Sequence, residues 1–118
     1  MNRPFSLFDT AFLEKAMDAA SLRGQVIASN ITNANTPGYE SMRVEFEGDL
    51  RQAMEDDANG DPTAKKNLKA NVVKTGKKLD VITEMASLAK NQILYNAYAN
   101  RISQQFANLK WVIENSGR

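Results

Sequence analysis

Between Val81 and Ile113 the chain repeats one spacing. Val81, Met85, Leu88, Gln92, Tyr95, Ala99, Ile102, Phe106, Leu109 and Ile113 follow at intervals of four and three, and only Gln92 is polar. Such a heptad repeat draws one apolar seam along one long helix. At 1.5 Å per residue that helix runs to roughly 50 Å, about twice the width of a compact domain of this size. It cannot bury its seam against itself. The rest of the chain must provide partners for it, or recruit them.

With 118 residues there is material for one small domain or one elongated unit. A net charge of +1 argues against strong attraction to nucleic acid or to a membrane surface. The charge is unevenly spread. Eight acids stand against Arg43 and Arg51 between Glu40 and Asp61, and six lysines without an acid fill Lys65 to Lys78. The two stretches read as solvated segments that attract each other, or as unlike patches that dock neighbouring copies. No apolar run approaches the ~20 residues of a membrane span. The N-terminus lacks the apolar core of a cleaved secretory signal, which points to the cytoplasm or to a non-standard export route.

Catalytic chemistry finds little to work with. Absence of cysteine and histidine removes disulfides, thiolate nucleophiles, Ser–His–Asp triads and the usual zinc sites. Asp56-Asp57-Ala58-Asn59-Gly60-Asp61 is acidic enough for calcium but lacks both the alternating ligands and a Glu at the twelfth position. The lysine run has no interleaved aromatics for stacking on single strands. Asn30-Ile31-Thr32 matches a glycosylation acceptor yet falls inside a predicted helix. No catalytic residue, metal site or cofactor is expected.

Residues 1–8 read as an arm broken by Pro4, with Phe5, Phe8 and Phe12 on one face if a helix extends that far. They would either staple into the core or anchor in a neighbour. Asp9 or Thr10 can cap a first helix. Along it Leu13, Met17, Ala20, Gly24, Ile27, Ile31 and Ala34 form a second heptad seam of smaller residues. Gly24 in mid-helix costs ~1 kcal/mol relative to alanine, which predicts a close backbone approach there. Asn35-Thr36-Pro37-Gly38 ends the helix. Pro37 suits the second position of a type II turn and Gly38 the third, while Asn33 and Asn35 suit a left-handed helix end.

Alternation from Tyr39 to Phe46 predicts an extended segment, and Phe46, Leu50, Ala53 and Met54 a short helix ending before Asp56. Leu68 to Thr75 reads as a strand carrying Val72 and Val73. Asp80 is a fair N-cap for the long helix, which ends near Asn115-Ser116-Gly117. The expected fold is mainly α, with long N- and C-terminal helices paired as an antiparallel coiled-coil stalk. Residues 1–39 and 80–118 make up the helical domain. Residues 40–79 form a small irregular or β middle lobe, partly disordered outside an assembly.

A solvent-facing coiled coil fills its outer positions with Glu and Lys. Off its seam, the long helix has only Glu84, Lys90, Arg101, Lys110 and Glu114, beside the apolar Ile93, Leu94, Tyr98, Trp111 and Val112. Leu22 and Val26 are likewise off the seam of the first helix. Apolar residues on several faces mean a helix surrounded on several sides. The chain has no third long helix, so neighbouring subunits are the expected cover.

The stretch Ala28-Ser29-Asn30-Ile31-Thr32-Asn33-Ala34-Asn35-Thr36-Pro37-Gly38-Tyr39 resembles the N-terminal signature of bacterial flagellar rod and hook proteins. In that family a helix ends in Ala-Ser-Asn-(Ile or Leu)-Ala-Asn-(Ala or Val)-x-Thr-x-Gly-Tyr, and only Thr32 departs from it. Glu84-Met85-Ala86, Leu88 to Ala97, Phe106 and the Leu109-Lys110 to Val112-Ile113 ending resemble the proximal-rod type. The likeness covers roughly 9–56 and 79–118; residues 57–78 match nothing.

The resemblance implies a non-enzymatic subunit of the basal-body rod, the shaft joining the motor's membrane ring to the distal rod and hook. Its partners would be copies of itself, FlgC-type and distal rod proteins, the FliE-type ring-junction protein and the flagellar export gate. Export would be through the flagellar type III apparatus, without a cleaved signal, into a rod that spans the periplasm. Asn30, Asn33 and Asn35 would supply amide hydrogen bonds within or between subunits, with Pro37 and Gly38 redirecting the chain. The alternatives are another rod subunit, such as the FlgC type, or a soluble helical-hairpin adaptor.

Overall fold

The computed structural model describes residues 10–116. In chain order it holds α1 (Thr10–Thr32), β1 (Met42–Glu45), α2 (Glu47–Ala58), α3 (Ala64–Asn67), β2 (Asn71–Lys74) and α4 (Val81–Ser116). The expected caps and turns account for most of these boundaries. Asp80 Oδ1 accepts from the N–H groups of Ile82 and Thr83 at 3.1 and 3.4 Å, which starts α4. Tyr39 N donates to Thr36 O at 3.2 Å and Gly38 has φ +78°, the type II turn that Pro37 and Gly38 favour. No non-glycine residue among those described has positive φ, so Asn33 and Asn35 are not left-handed.

Helix α2 runs through Asp56 and Asp57 rather than stopping before them. Its stop is Gly60, at φ +95°. Asp61 N donates to Asp56 O at 2.9 Å and Gly60 N to Asp57 O at 3.0 Å, the paired bonds of a Schellman close. Side-chain composition pointed to a loop from Asp56, but backbone bonding carries the helix to its glycine.

Helices α1 and α4 lie antiparallel: Asn30 reaches Glu84 while Asn91 reaches Ala20. The other side of α1 is covered as well. Phe12, Ala16 and Ala19 form one core with Val44, Phe46, Ala53 and Leu68 of the middle segment. Thus α1 carries two adjacent stripes. Ala20 and Gly24 meet α4, and Phe12, Ala16, Ala19, Arg23, Val26 and Asn30 meet the lobe.

The middle segment is ordered around an antiparallel pair in which Met42 faces Lys74 and Glu45 faces Asn71. It supplies the third layer that no long helix could. Val72, expected to carry the apolar content of β2, is exposed; Leu68, at the end of α3, is the buried residue instead. The assembled chain measures 65 × 28 × 19 Å.

Candidate functional site

Asn30 is 1% exposed, on the last turn of α1. Its Nδ2 donates to Met42 O at 2.8 Å and to Glu84 Oε2 at 3.3 Å. Its Oδ1 accepts from Met42 N at 3.0 Å and from the Tyr39 hydroxyl at 2.8 Å. Both donors and both acceptor positions of the amide are used. Toward Met42 the side chain acts as one more strand, taking both backbone groups at the start of β1. One residue therefore ties the end of α1, the start of the lobe and the start of α4.

Around this clasp the turn is held by its neighbours. Asn33 Nδ2 donates to Ser29 O at 2.9 Å, and its Oδ1 accepts from Thr36 Oγ1 at 3.1 Å. Asn35, Thr36, Pro37 and Gly38 are exposed. Ser41 is buried and bridges to Thr75 Oγ1 at 2.6 Å and Lys77 O at 3.0 Å, closing the lobe's edge.

A second polar tie sits two turns back on α1. Arg23 grips both carboxylate oxygens of Glu47, at 2.7 and 2.8 Å, and donates to Val44 O at 3.1 Å. Partial burial works to raise the pKa of Glu47, but hydrogen bonds from Arg23 and the nearby backbone outweigh it, leaving the carboxyl below its ordinary value. Tyr98, on α4, is pushed up by its own burial and by the Glu47 charge.

The α4 surface departs from the heptad expectation. Its two buried residues are the amides Asn91 and Gln105. With half-buried Glu84, Ser87, Leu94 and Tyr98 they form the covered stripe. Met85, Phe106 and Ile113 of the expected seam are 58%, 52% and 65% exposed, and Val81, Leu88 and Gln92 are exposed too. Tyr95, Ile102 and Leu109 are half-buried at the edge of the two stripes.

The cause lies on α1. Ala20 and Gly24 present so little side chain that Asn91 can enter and donate to Ala20 O at 2.7 Å. A Cβ on Gly24 would stand 3.3 Å from Asn91 Nδ2, so the close approach there is by this amide and not by a backbone. Leu13, Met17 and Ile31 are half-buried and Ile27 is buried on the same helix. Nothing in the sequence periodicity signals an inward asparagine.

The expected inter-subunit residues divide. Leu22, Val26 and Tyr98 pack against the chain's own core, because the lobe covers that side, and Leu94 is half-buried. Ile93 and Trp111 are exposed. Phe5 and Phe8 lie outside the described residues. Among the described residues, no helix is long and apolar enough to cross a membrane and no acidic cluster could hold a metal ion.

Residues 12–39, from the first turn of α1 to the tyrosine that donates to Asn30, match the family model described as "Flagella basal body rod protein". The flagellar basal body rod protein FlgB of Bacillus subtilis (strain 168) is 32% identical over 123 aligned residues, covering 86% of this chain and 89% of that protein. The chain belongs to the FlgB family. The FlgB of Borreliella burgdorferi is 28% identical, covering 87% of this chain and 93% of its own length. The Escherichia coli (strain K12) FlgB is 36% identical over a shorter 44-residue span. As an FlgB-family protein the chain is a structural component of the flagellar basal-body rod. The family-model match takes in Asn30, the Pro37–Gly38 turn and Tyr39, while Met42 and Glu84, the other partners of Asn30, lie beyond it.

Proposed function

We propose that the chain polymerises through α1 and α4 into the proximal rod and carries torque toward the distal rod and hook without catalysis of its own. The observation that supports this is the uncovered surface of α4. Ile82, Met85, Ile93, Phe106, Trp111 and Ile113 are all more than half exposed on one helix of 36 residues. Isolated exposed apolar residues are ordinary, but a series along a whole helix marks a surface that meets other chains. The likeness to FlgB proteins supports the rod as the place where those chains are met.

In this reading residues 1–39 and 80–118 act as one helical domain and 40–79 as a lobe braced against it. The neighbours are further copies, FlgC-type and distal rod proteins, the FliE-type ring-junction protein and, during delivery, the export gate. The chain travels through the flagellar type III apparatus and ends in the periplasm-spanning part of the rod. Basal bodies purified from cells carrying a tagged copy provide the test. The tagged chain should co-purify with the rod, and its disappearance from that fraction while the cytosol retains it would end the reading.

A further inference from the structure

The two strands of the lobe differ in what lies along their outer edges. Thr75 N donates to Ser41 O at 3.0 Å, which makes Ser41 and Thr75 a hydrogen-bonded pair of the antiparallel ladder. Bonded and unbonded pairs alternate along such a ladder. The N–H and C=O groups of Met42, Val44, Val72 and Lys74 therefore point away from the facing strand. On β1 the helix α1 takes them: Asn30 holds both groups of Met42, and Arg23 donates to Val44 O. On β2 the same groups of Val72 and Lys74 have no hydrogen-bond partner among the described residues. The lobe has one closed edge and one open edge.

We propose that the open edge of β2 takes an extended, acidic segment of another protein as a third strand of the sheet. Alternating donors and acceptors along a strand edge match another polypeptide backbone, not a nucleic acid or a polyphosphate. The lysines set the charge of that segment. Lys69, Lys74, Lys77 and Lys78 are exposed in and around β2. Among the described residues only Lys74 of these four has an ion-pair partner, Glu40 at 3.7 Å between two exposed side chains. So weak a pair yields readily to an incoming carboxylate. Val72 is 44% exposed on the same face as Lys74, since side chains two apart on a strand share a face. The incoming strand thus carries an acid opposite Lys74 and an apolar residue opposite Val72, two positions apart, with further acids toward its ends.

A second copy of β2 is a poor occupant. An antiparallel self-pair centred on Val73 sets Lys69 of one copy opposite Lys77 of the other at both ends, where like charges repel. The lysines keep the edge from pairing with itself and leave it open to the opposite charge.

The probe is a blocked peptide of about six residues alternating glutamate with valine, added to the dilute full chain and followed by amide NMR. The Val72 and Lys74 amide resonances should move to saturation, and their hydrogen exchange should slow. A peptide alternating lysine with valine should leave them in place. Val72→Pro removes one outward N–H without touching the bonds to β1, and edge strands tolerate proline. It should weaken binding of the glutamate peptide about tenfold. Lys74→Glu with Lys77→Glu, both at exposed positions, should reverse the preference between the two peptides. Circular dichroism and the melting temperature of each variant check that the lobe persists.

Unmoved Val72 and Lys74 amides, or equal binding of the two peptides, would overturn the proposal. So would a single-stranded oligonucleotide that moves the same amides and displaces the peptide from the unaltered and Val72→Pro chains alike, since the edge is then a patch for polyanions. None of these results bears on whether the tagged chain is found in basal bodies, so the two readings fail separately.

Discussion

Asn30 holds Met42 by both backbone groups at once, giving 2.8 Å to its carbonyl and taking 3.0 Å from its N–H. An arrangement with no spare valence has no graceful substitute. Asn30→Ala should leave the half-buried Met42 pair without its side-chain partner and the Tyr39 hydroxyl with only Ser29 Oγ at 3.4 Å, at about 2–3 kcal/mol. Chemical denaturation should show a lower midpoint at unchanged slope, with faster hydrogen exchange at the Met42 amide. Asn30→Asp should be no better, since it trades a donor for a charge beside Glu84.

Gly24 and Asn91 should show coupled effects. Gly24→Ala alone gains ~1 kcal/mol of helix propensity but crowds Asn91 Nδ2, so its net change should be small. Asn91→Ala alone removes a buried amide whose Oδ1 has no partner among the described residues, and leaves a gap. Together they should stabilise the chain beyond the sum of the single changes, by about 1 kcal/mol in a double-mutant cycle.

Acid should weaken the chain over a defined pH window. Glu47, Asp61 and Asp80 all have carboxyl groups held below their ordinary values of 4.5, 3.8 and 3.8. At Glu47 burial opposes the shift and Arg23 leads the lowering effects; Thr63 leads at Asp61 and Thr83 at Asp80. A folded pKa below the unfolded one means the unfolded chain binds protons more readily. The stabilisation is therefore present above about pH 4.5 and is lost as pH falls through the lower folded values. Melting temperature against pH should drop in that acid window, and Glu47→Gln should flatten the upper part of the drop.

Gly38→Ala should cost about 1–2 kcal/mol, because φ +78° is forced by the turn and a Cβ there is strained although the space around it is open. A lowered thermal midpoint with unchanged helix content would check it.

Trp111→Glu and Ile93→Glu should do the opposite of the core changes. Both side chains are exposed, so the isolated chain should keep its stability within about 0.5 kcal/mol. Swimming in soft agar should nevertheless fail, with the variant chain exported but missing from basal bodies.

Periodicity made the long helices, the Pro37–Gly38 turn and the Asp80 cap readable in the sequence, since each depends on neighbours a few residues away. What it could not show was which partner takes which stripe. The heptad from Val81 to Ile113 is the strongest apolar signal in the chain, yet α1 takes the adjacent row because Ala20 and Gly24 admit Asn91. Leu22, Val26 and Tyr98 are expected at neighbours because the chain has no third long helix to cover them; the middle segment covers them instead, because its few apolar residues, Val44, Phe46 and Leu68, converge. The Asn30 motif was legible as a signature. Its bonds to Met42 and Glu84 were not, because they join residues 12 and 54 positions apart.

The polar ties of α1 have a mechanical consequence. Apolar side chains can slide past one another with little change in energy, whereas hydrogen bonds and forked ion pairs resist rotation because they are directional. Along α1 such bonds run to the lobe at Arg23, to α4 at Ala20, and to both at Asn30. A twist applied about the long axis of one subunit must strain all three before its helices can turn against each other. Torsional stiffness is thus built into the single chain, before any neighbour adds to it.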